Sequence, residues 1–471
     1  VSIVRVPAFD ALTDSALIAT TGRPDGRWVG CGGAAVTRGR IRVSRCGSGS
    51  RLVPLHARVS LAARNLRRYA AVPLGGLLWP VARSVPRRPG LWAFAYIHGY
   101  KDNPRYLFEH VVAAAPEGIE PVWLAQTREE AEQVRAAGLP AVWKRSPKGW
   151  WANLRAGAVF LGNGPSELNR PLLGRAMVVQ SWHGAPFKRI HADFEEQDVL
   201  VRGGGAVGRL VNSVIGRLTS ASRSRVDIVP SQSELVATRF QSAYRVGPQA
   251  TPVLGTPRAD VICATGPEAD AELAEVLRSV LPERLRGAAR VVLYAPTWRD
   301  GRPDGFLADG FDVDALDAVL ARHDAVLLVK LHPYGDRDTF EQAGTSRAQR
   351  ILLGAADHVD VNVLLRGVDV LLTDYSAISV DYALLDRPIV YFMPDLEEYV
   401  GNRGLYESPE AMTGGLHRRT WPEVVEALDE AMTDPGPYLA PVRAAAARYC
   451  AFRDTDSCAR IVAEARRRLG C

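Results

Sequence analysis

From Leu91 onward, short apolar runs alternate with stretches in which apolar residues recur at helical spacing. The runs "LWAFAYIHG" (Leu91–Gly99), "PVWLAQ" (Pro121–Gln126), "AVWK" (Ala141–Lys144), "GAVFLGNG" (Gly157–Gly164), "AMVVQSW" (Ala176–Trp182) and "VDIVPS" (Val226–Ser231) read as strands. "PRYLFEHVVAAA" reads as a helix with Pro104 at its first position, and "REEAEQVRAAG" as a helix with a glycine stop. The second half repeats the rhythm with "RVVLYAPT" (Arg290–Thr297), "AVLLVKLHP" (Ala325–Pro333), "VDVLLTD" (Val368–Asp374) and "RPIVYF" (Arg387–Phe392). Apolar strands alternating with helices imply parallel sheets covered on both faces. The pattern predicts an α/β protein with two doubly wound domains facing a cleft, 89–260 and 261–471, behind a leader at 1–88.

The leader differs in kind. Residues 1–50 are rich in Gly, Arg and Ser with weak periodicity. Over Arg58–Ala71, Val59, Ala62, Ala63, Leu66 and Ala70 share one helical face while Arg64, Arg67 and Arg68 lie off it, the pattern of an interfacial helix. "SVPRRPG" (Ser84–Gly90) reads as a linker. The whole chain carries a net charge of +6, but Arg27–Lys101 contains fourteen basic residues and no Asp or Glu. A sign-pure basic segment predicts contact with an anionic membrane surface rather than with nucleic acid. The longest apolar run, Tyr69–Ala82, is too short to span a bilayer and holds Pro73, and the first twenty residues lack the features of a secretory signal. Peripheral attachment at the cytoplasmic face is therefore expected. The six cysteines form no C-x-x-C pair, which points to reduced thiols.

Ligands in open α/β sheets bind at the carboxyl ends of strands, and four such ends carry chemistry. "SWHGAPFK" places His183 at a strand mouth before Gly184, with Lys188 beyond. An imidazole with a pKa near ~6.5 is suited to accept a hydroxyl proton at neutral pH. "YAPTWRD" offers Arg299 to an anion. "KLHPYG" brings Lys330, His332 and Pro333, where a helix start would present free amides to phosphate. "LLTDYSAISVDYALLD" ends a strand at Thr373 and Asp374 and starts a helix at Tyr375, Ser376 and Ser379, with Asp374 or Ser376 as N-cap. No D-x-D or other metal cluster is visible in these motifs, although the pattern leaves room for a weakly held Mg²⁺.

Read in order, "KDNPRYLFE", "SWHGAPFK", "DIVPSQSELVATRF", "GTPRAD", "LYAPTWRD", "KLHP", "DVLLTDYSAISVDYALLDRPIVYF" and "RGLY" resemble the CDP-glycerol glycerophosphotransferase family, the teichoic-acid primases and polymerases, from about Tyr96 to Ala463. The resemblance implies a GT-B-like fold and transfer of glycerol phosphate from CDP-glycerol, or a related CDP-polyol, to a lipid-linked glycerophosphate acceptor with release of CMP. It implies that His183 is the general base and that His332 stands near the donor diphosphate. Thr373, Asp374, Ser376 and Ser379 fall in the donor motif, with Asp381 further along the same helix. Ala185, Phe187, Lys330 and the pair Met393–Pro394 depart from the family pattern and leave the acceptor and the polyol open. So do primase against polymerase activity and oligomeric state. Two other readings share parts of the pattern: a GT-B glycosyltransferase or nucleotide-sugar epimerase with a UDP-linked donor, and a catalytically silent scaffold of envelope polymer assembly.

Overall fold

The computed structural model describes residues 82–193, 226–297, 310–331, 345 and 348–471, with strand pieces at 28–29, 35–37 and 40–41. The chain divides into two compact units, 1–72 and 73–471. In the first unit, β1 (Trp28–Val29), β2 (Ala35–Thr37) and β3 (Arg40–Ile41) pair antiparallel in that order. The interfacial helix expected over Arg58–Ala71 lies outside the described residues.

The second unit contains two parallel sheets. The first comprises β4 (Arg88–Ala95), β5 (Glu120–Ala125), β6 (Ala141–Trp143), β7 (Ala156–Leu161) and β8 (Met177–Gln180), in spatial order β6-β5-β4-β7-β8. Its helices include α1 (Asp102–Ala114), α2 (Arg128–Ala136), α3 (Pro147–Arg155) and α4 (Glu234–Tyr244). After α5 (Pro257–Ile262) and α6 (Pro267–Val280) comes the second sheet. It is built from β9 (Arg290–Ala295), β10 (Ala325–Val329), β11 (Ile351–Leu353), β12 (Val370–Thr373), β13 (Ile389–Phe392) and β14 (His417–Arg418), ordered β11-β10-β9-β12-β13-β14. Between its strands lie α7 (Val313–Arg322), α8 (Val361–Leu365) and α9 (Ile378–Ala383). After it come α10 (Trp421–Thr433), α11 (Gly436–Tyr449) and α12 (Ser457–Leu469). Both strand orders reverse direction beside the first strand of their sheet, at β4/β7 and at β9/β12. That is the position where doubly wound sheets open a crevice for ligands.

The strands are buried on both faces, as their unbroken apolar runs require. In the first sheet Phe94 stacks on Phe160 at 4.5 Å on one face, while Ala93, Leu124 and Val159 form a separate core on the other. In the second sheet Leu293, Leu328 and Leu371 face one core and Val292, Leu327 and Leu372 the other. The last helix crosses back to the first sheet. Cys458, Ile461, Val462 and Ala465 of α12 join the core of Trp92, Phe94 and Trp123. The Asp260 carboxylate accepts from the amides of Ser457 and Cys458 at 2.8 Å each and seats the start of α12, where a negative charge is favoured.

Several elements differ from the sequence reading. Pro104 occupies the third position of α1, not the first; the first helical turn has free N–H groups to lose, so it tolerates proline there. Arg88–Gly90 belong to β4 rather than to a linker. Pro89 is accommodated because the β4–β7 register shifts between Arg88 and Trp92. Arg87 is anchored on the carbonyls of Asn153, Ala82 and Leu172, so the folded unit begins before residue 88. "VDIVPS" makes single bridges, Val179 to Ile228 and Ser231 to Val253, rather than a full strand. Pro230 has no amide to donate to a ladder. The two- and three-residue edge strands β14 and β11 are too short to show a period.

At Gly157 an added Cβ would meet the Arg88 carbonyl oxygen and Pro89 at 2.6 Å, both backbone. Gly157→Ala is expected to destabilise the unit by about 1–3 kcal/mol, read as a lower urea midpoint. An unchanged midpoint would mean that β4 and β7 do not approach as described.

Candidate active site

The chain leaves β8 at Gln180 and turns sharply: Trp182 has φ +53° and Gly184 φ +134°. A Cβ at Gly184 would stand 2.9 Å from the Ala377 Cβ at the start of α9. Glycine is thus needed both for the backbone conformation and for the approach of the two halves. Asn103, fully buried, donates from Nδ2 to the carbonyls of Ser181 (3.3 Å) and Trp182 (2.9 Å) and accepts from the Arg258 amide (2.9 Å). Beyond the turn, Arg239 Nη1 donates to the Pro186 carbonyl at 2.8 Å. Phe187 accepts from the Tyr406 amide at 2.8 Å, and Lys188 bridges Leu405. The "HGAPFK" segment is therefore held by backbone and side chains from both halves.

His183 projects from this turn. Its ring lies 4.1 Å from Trp182, which also packs at 5.1 Å on His191. The imidazole is exposed on this turn, although protein crowds around it. Loss of bulk solvation is the main reason its pKa falls to about 4; Asp102 opposes the fall, while Arg258, His98 and His191 add to it. A shift in this direction favours the neutral ring at pH 7.

Beneath the turn lies a buried ion triad. Arg258 Nη2 donates to Asp102 Oδ1 at 2.5 Å, and Arg258 Nη1 donates to Asp381 Oδ2 at 2.7 Å. Gln232 Nε2 donates to Asp381 Oδ1 at 3.4 Å. Asp102 is the first residue of α1 and Asp381 lies in α9, so one guanidinium ties the first half to the second. The two carboxylates hold Arg258 charged, with its pKa above the ordinary arginine value despite burial. Desolvation pushes Asp381 upward, and the guanidinium opposes that.

The other sequence candidates fall into three groups. Arg299, His332 and Pro333 lie outside the described residues. Thr373, Asp374, Ser379 and Asp381 are buried and engaged within the protein. Thr373 Oγ1 donates to the Ala295 carbonyl at 2.7 Å, and Asp374 accepts from the Thr297 amide at 2.9 and 3.0 Å. Ser379 Oγ donates to the Ser376 carbonyl at 2.9 Å. These contacts fix the ends of β9 and β12. The N-cap of α9 is Ala377 and has no side-chain cap, so neither Asp374 nor Ser376 serves as one; Asp374 is committed to Thr297 instead. Ser376, Lys188 and Lys330 remain half-buried. Lys330 Nζ donates to the Ala356 carbonyl at 3.0 Å, and its pKa is lowered by burial and then by Lys101 of the first half. Lys188 Nζ lies 5.4 Å from the Tyr399 ring, which stacks on Tyr375 at 3.8 Å.

Sequence reasoning did not single out Asp102, Asn103, Arg239 or Arg258. "KDNP" and "GTPRAD" did stand among the matching motifs, and that was the available signal. Among the described residues no group of three or more His, Cys, Asp or Glu side chains is arranged to hold a metal ion, and no helix is long and apolar enough to cross a membrane.

A family profile described as CDP-Glycerol:Poly(glycerophosphate) glycerophosphotransferase matches residues 78–465. The chain belongs to this family. It is 25% identical over 390 residues to the teichoic acid poly(glycerol phosphate) polymerase of Bacillus spizizenii, covering 78% of this chain and 91% of that protein. It is 27% identical to the polymerase of the same name from Staphylococcus epidermidis, covering 65% of this chain but only 40% of the relative's length. A solved structure of the wall teichoic acid polymerase TagF aligns with a TM-score of 0.65 at 23% identity, over 88% of this chain and 98% of that one. That likeness establishes the GT-B-like fold.

Two outcomes follow from the geometry. An NMR titration of the His183 ring should give a midpoint near about 4 in the free protein; a midpoint at or above 6.5 would contradict its desolvated position. Arg258→Met strands the buried Asp381 and the half-buried Asp102 and should cost about 3–5 kcal/mol of stability in urea titrations. A loss below about 1 kcal/mol would mean that the triad is not formed.

Proposed function

We propose that the chain is a transferase that moves glycerol phosphate, or a related polyol phosphate, from a CDP-linked donor to a hydroxyl of a glycerophosphate acceptor and releases CMP. Family membership supports the donor class and the reaction. The single observation that supports the mechanism is the position of His183 on the turn after β8, where the neighbouring Gly184 packs against Ala377 at the start of α9. The UDP-donor and scaffold readings are not favoured by the relatives.

In this mechanism the acceptor oxygen attacks the phosphorus that bears the polyol. A phosphodiester bond forms, the bond from that phosphorus to the bridging oxygen breaks, and CMP leaves with the electron pair. The hydroxyl proton passes to a ring nitrogen of His183. A donor diphosphate beside the ring raises its proton affinity from the depressed value of the free protein, so the base strengthens as the substrate binds. Lys330, Ser376 and the amides at the start of α9 hold the diphosphate in this reading; His332 and Arg299, the sequence candidates for the same role, lie outside the described residues. Thr373, Asp374, Ser379 and Asp381 shape that wall from behind. Positioning and electrostatics carry most of such a transfer.

The acceptor is lipid-linked in this reading, and the protein works at the cytoplasmic membrane face. The basic stretch beginning at Arg27 supports this, since each cation near an anionic surface contributes about 1 kcal/mol.

His183→Ala should lower CMP release from CDP-glycerol by about 10²–10⁴-fold with donor affinity nearly unchanged. A rate close to wild type would remove the histidine from its role. Comparing CDP-glycerol, CDP-ribitol and UDP-sugars as donors in the same assay tests the substrate class. Deleting residues 1–72, the first compact unit, should move protein out of the pellet of anionic vesicles; an unchanged pellet fraction would separate the leader from the membrane.

A further inference from the structure

Helix α3 is inside out. Pro147, Trp150, Trp151 and Leu154 stand at i, i+3, i+4 and i+7, the spacing of one apolar face. That face does not point to the core: Trp150 is 55% and Trp151 61% exposed. The opposite positions are the ones that pack. Gly149 is buried so closely that an added Cβ would lie 2.2 Å from the Trp143 carbonyl oxygen. Asn153 is fully buried, accepts from the Asn169 amide at 2.9 Å, and its carbonyl accepts from Arg87 at 3.0 Å. The helix therefore cannot rotate to hide its tryptophans without breaking these contacts. Two adjacent tryptophans are the most exposed large apolar side chains among the described residues, and an exposed apolar patch on a folded unit marks an interaction surface.

The charge around the patch selects the partner. From Gln133 to Ser166 the chain has no acidic residue. Arg145 and Lys148 are exposed beside the tryptophans, and the Arg155 guanidinium lies 5.6 Å from the Trp151 ring. Indole rings favour the boundary between headgroups and acyl chains, and flanking cations favour anionic headgroups. A protein partner would be expected to meet the patch with a shaped pocket, whereas adjacent tryptophans on a short convex helix suit a fluid surface.

We propose that Trp150 and Trp151 of α3 insert into the interfacial layer of an anionic phospholipid membrane, with Arg145, Lys148 and Arg155 on its headgroups. This extends the proposed function by naming a surface of the folded unit, distinct from the leader, that meets the membrane. Its test does not depend on turnover. The full chain and the variant Trp150→Ser/Trp151→Ser are floated with vesicles of phosphatidylglycerol and phosphatidylcholine, some carrying shallow-brominated lipid. The double variant should partition at least about tenfold more weakly, and bromine quenching of tryptophan fluorescence seen with the full chain should largely disappear. The far-UV circular dichroism spectrum and the urea midpoint should stay unchanged, which shows that the variant is folded. Partitioning within about twofold of wild type, with quenching retained, overturns the proposal. So does a change of oligomeric state in the variant with vesicle binding intact, since the patch would then be a contact between protein molecules.

Discussion

A single guanidinium, Arg258, is clamped between Asp102 of the first half and Asp381 of the second, and the arrangement of the groove depends on it. Buried ion groups are costly unless every charge has a partner. Here the cost is offset only when both halves present their carboxylates together, so the triad specifies one apposition of the two sheets. The same arginine's amide is tied to Asn103, which in turn holds the carbonyls of Ser181 and Trp182. The turn that carries His183 is thus fastened to the contact that joins the halves. Arg239 adds a second fastening, with its guanidinium shared among Pro186, Tyr449 and Glu407.

This construction suits a reaction governed by placement. In the proposed transfer the protein makes no covalent bond to the substrate; it fixes an attacking oxygen, a phosphorus and a leaving phosphate in line. A base on a loose loop would lose most of that advantage. His183 sits instead on a backbone held in a positive-φ conformation at Trp182 and Gly184. The protein crowded around the ring lowers its proton affinity. The segment after β12 contributes differently: Thr373, Asp374 and Ser379 spend their polar groups on the protein itself, which makes the start of α9 rigid.

Much of this was legible in the sequence, and the reasons are physical. Runs such as "AVLLV" and "AGAVFL" are buried on both faces, and a continuous apolar run between helices has few other solutions. His183 was legible because a histidine–glycine pair after such a strand must lie at its carboxyl end. The triad was not, because Asp102, Arg258 and Asp381 are separated by 156 and 123 positions, and no local pattern reports a charge pair across that distance. The N-cap expectation failed for a similar reason: Asp374 finds Thr297, two residues past the end of the neighbouring strand β9, a partner that its own helix cannot predict. Helix α12 shows its apolar spacing plainly, but nothing in the spacing says that it returns to the first sheet. The inverted polarity of α3 was equally hidden, since a periodic apolar face is ordinarily read as the buried one.

The central claim is spatial: the donor diphosphate lies in the groove between the His183 turn and the start of α9, on the site that the Arg258 triad assembles. A crystal structure of the full chain with bound CDP-glycerol tests this directly. The diphosphate is expected between the His183 ring and the Ser376–Ala377 amides, with Arg258 still bonded to both carboxylates. A nucleotide bound on an outer face of either sheet, or a groove in which Arg258 has released Asp102 or Asp381 while the donor is held, would contradict it.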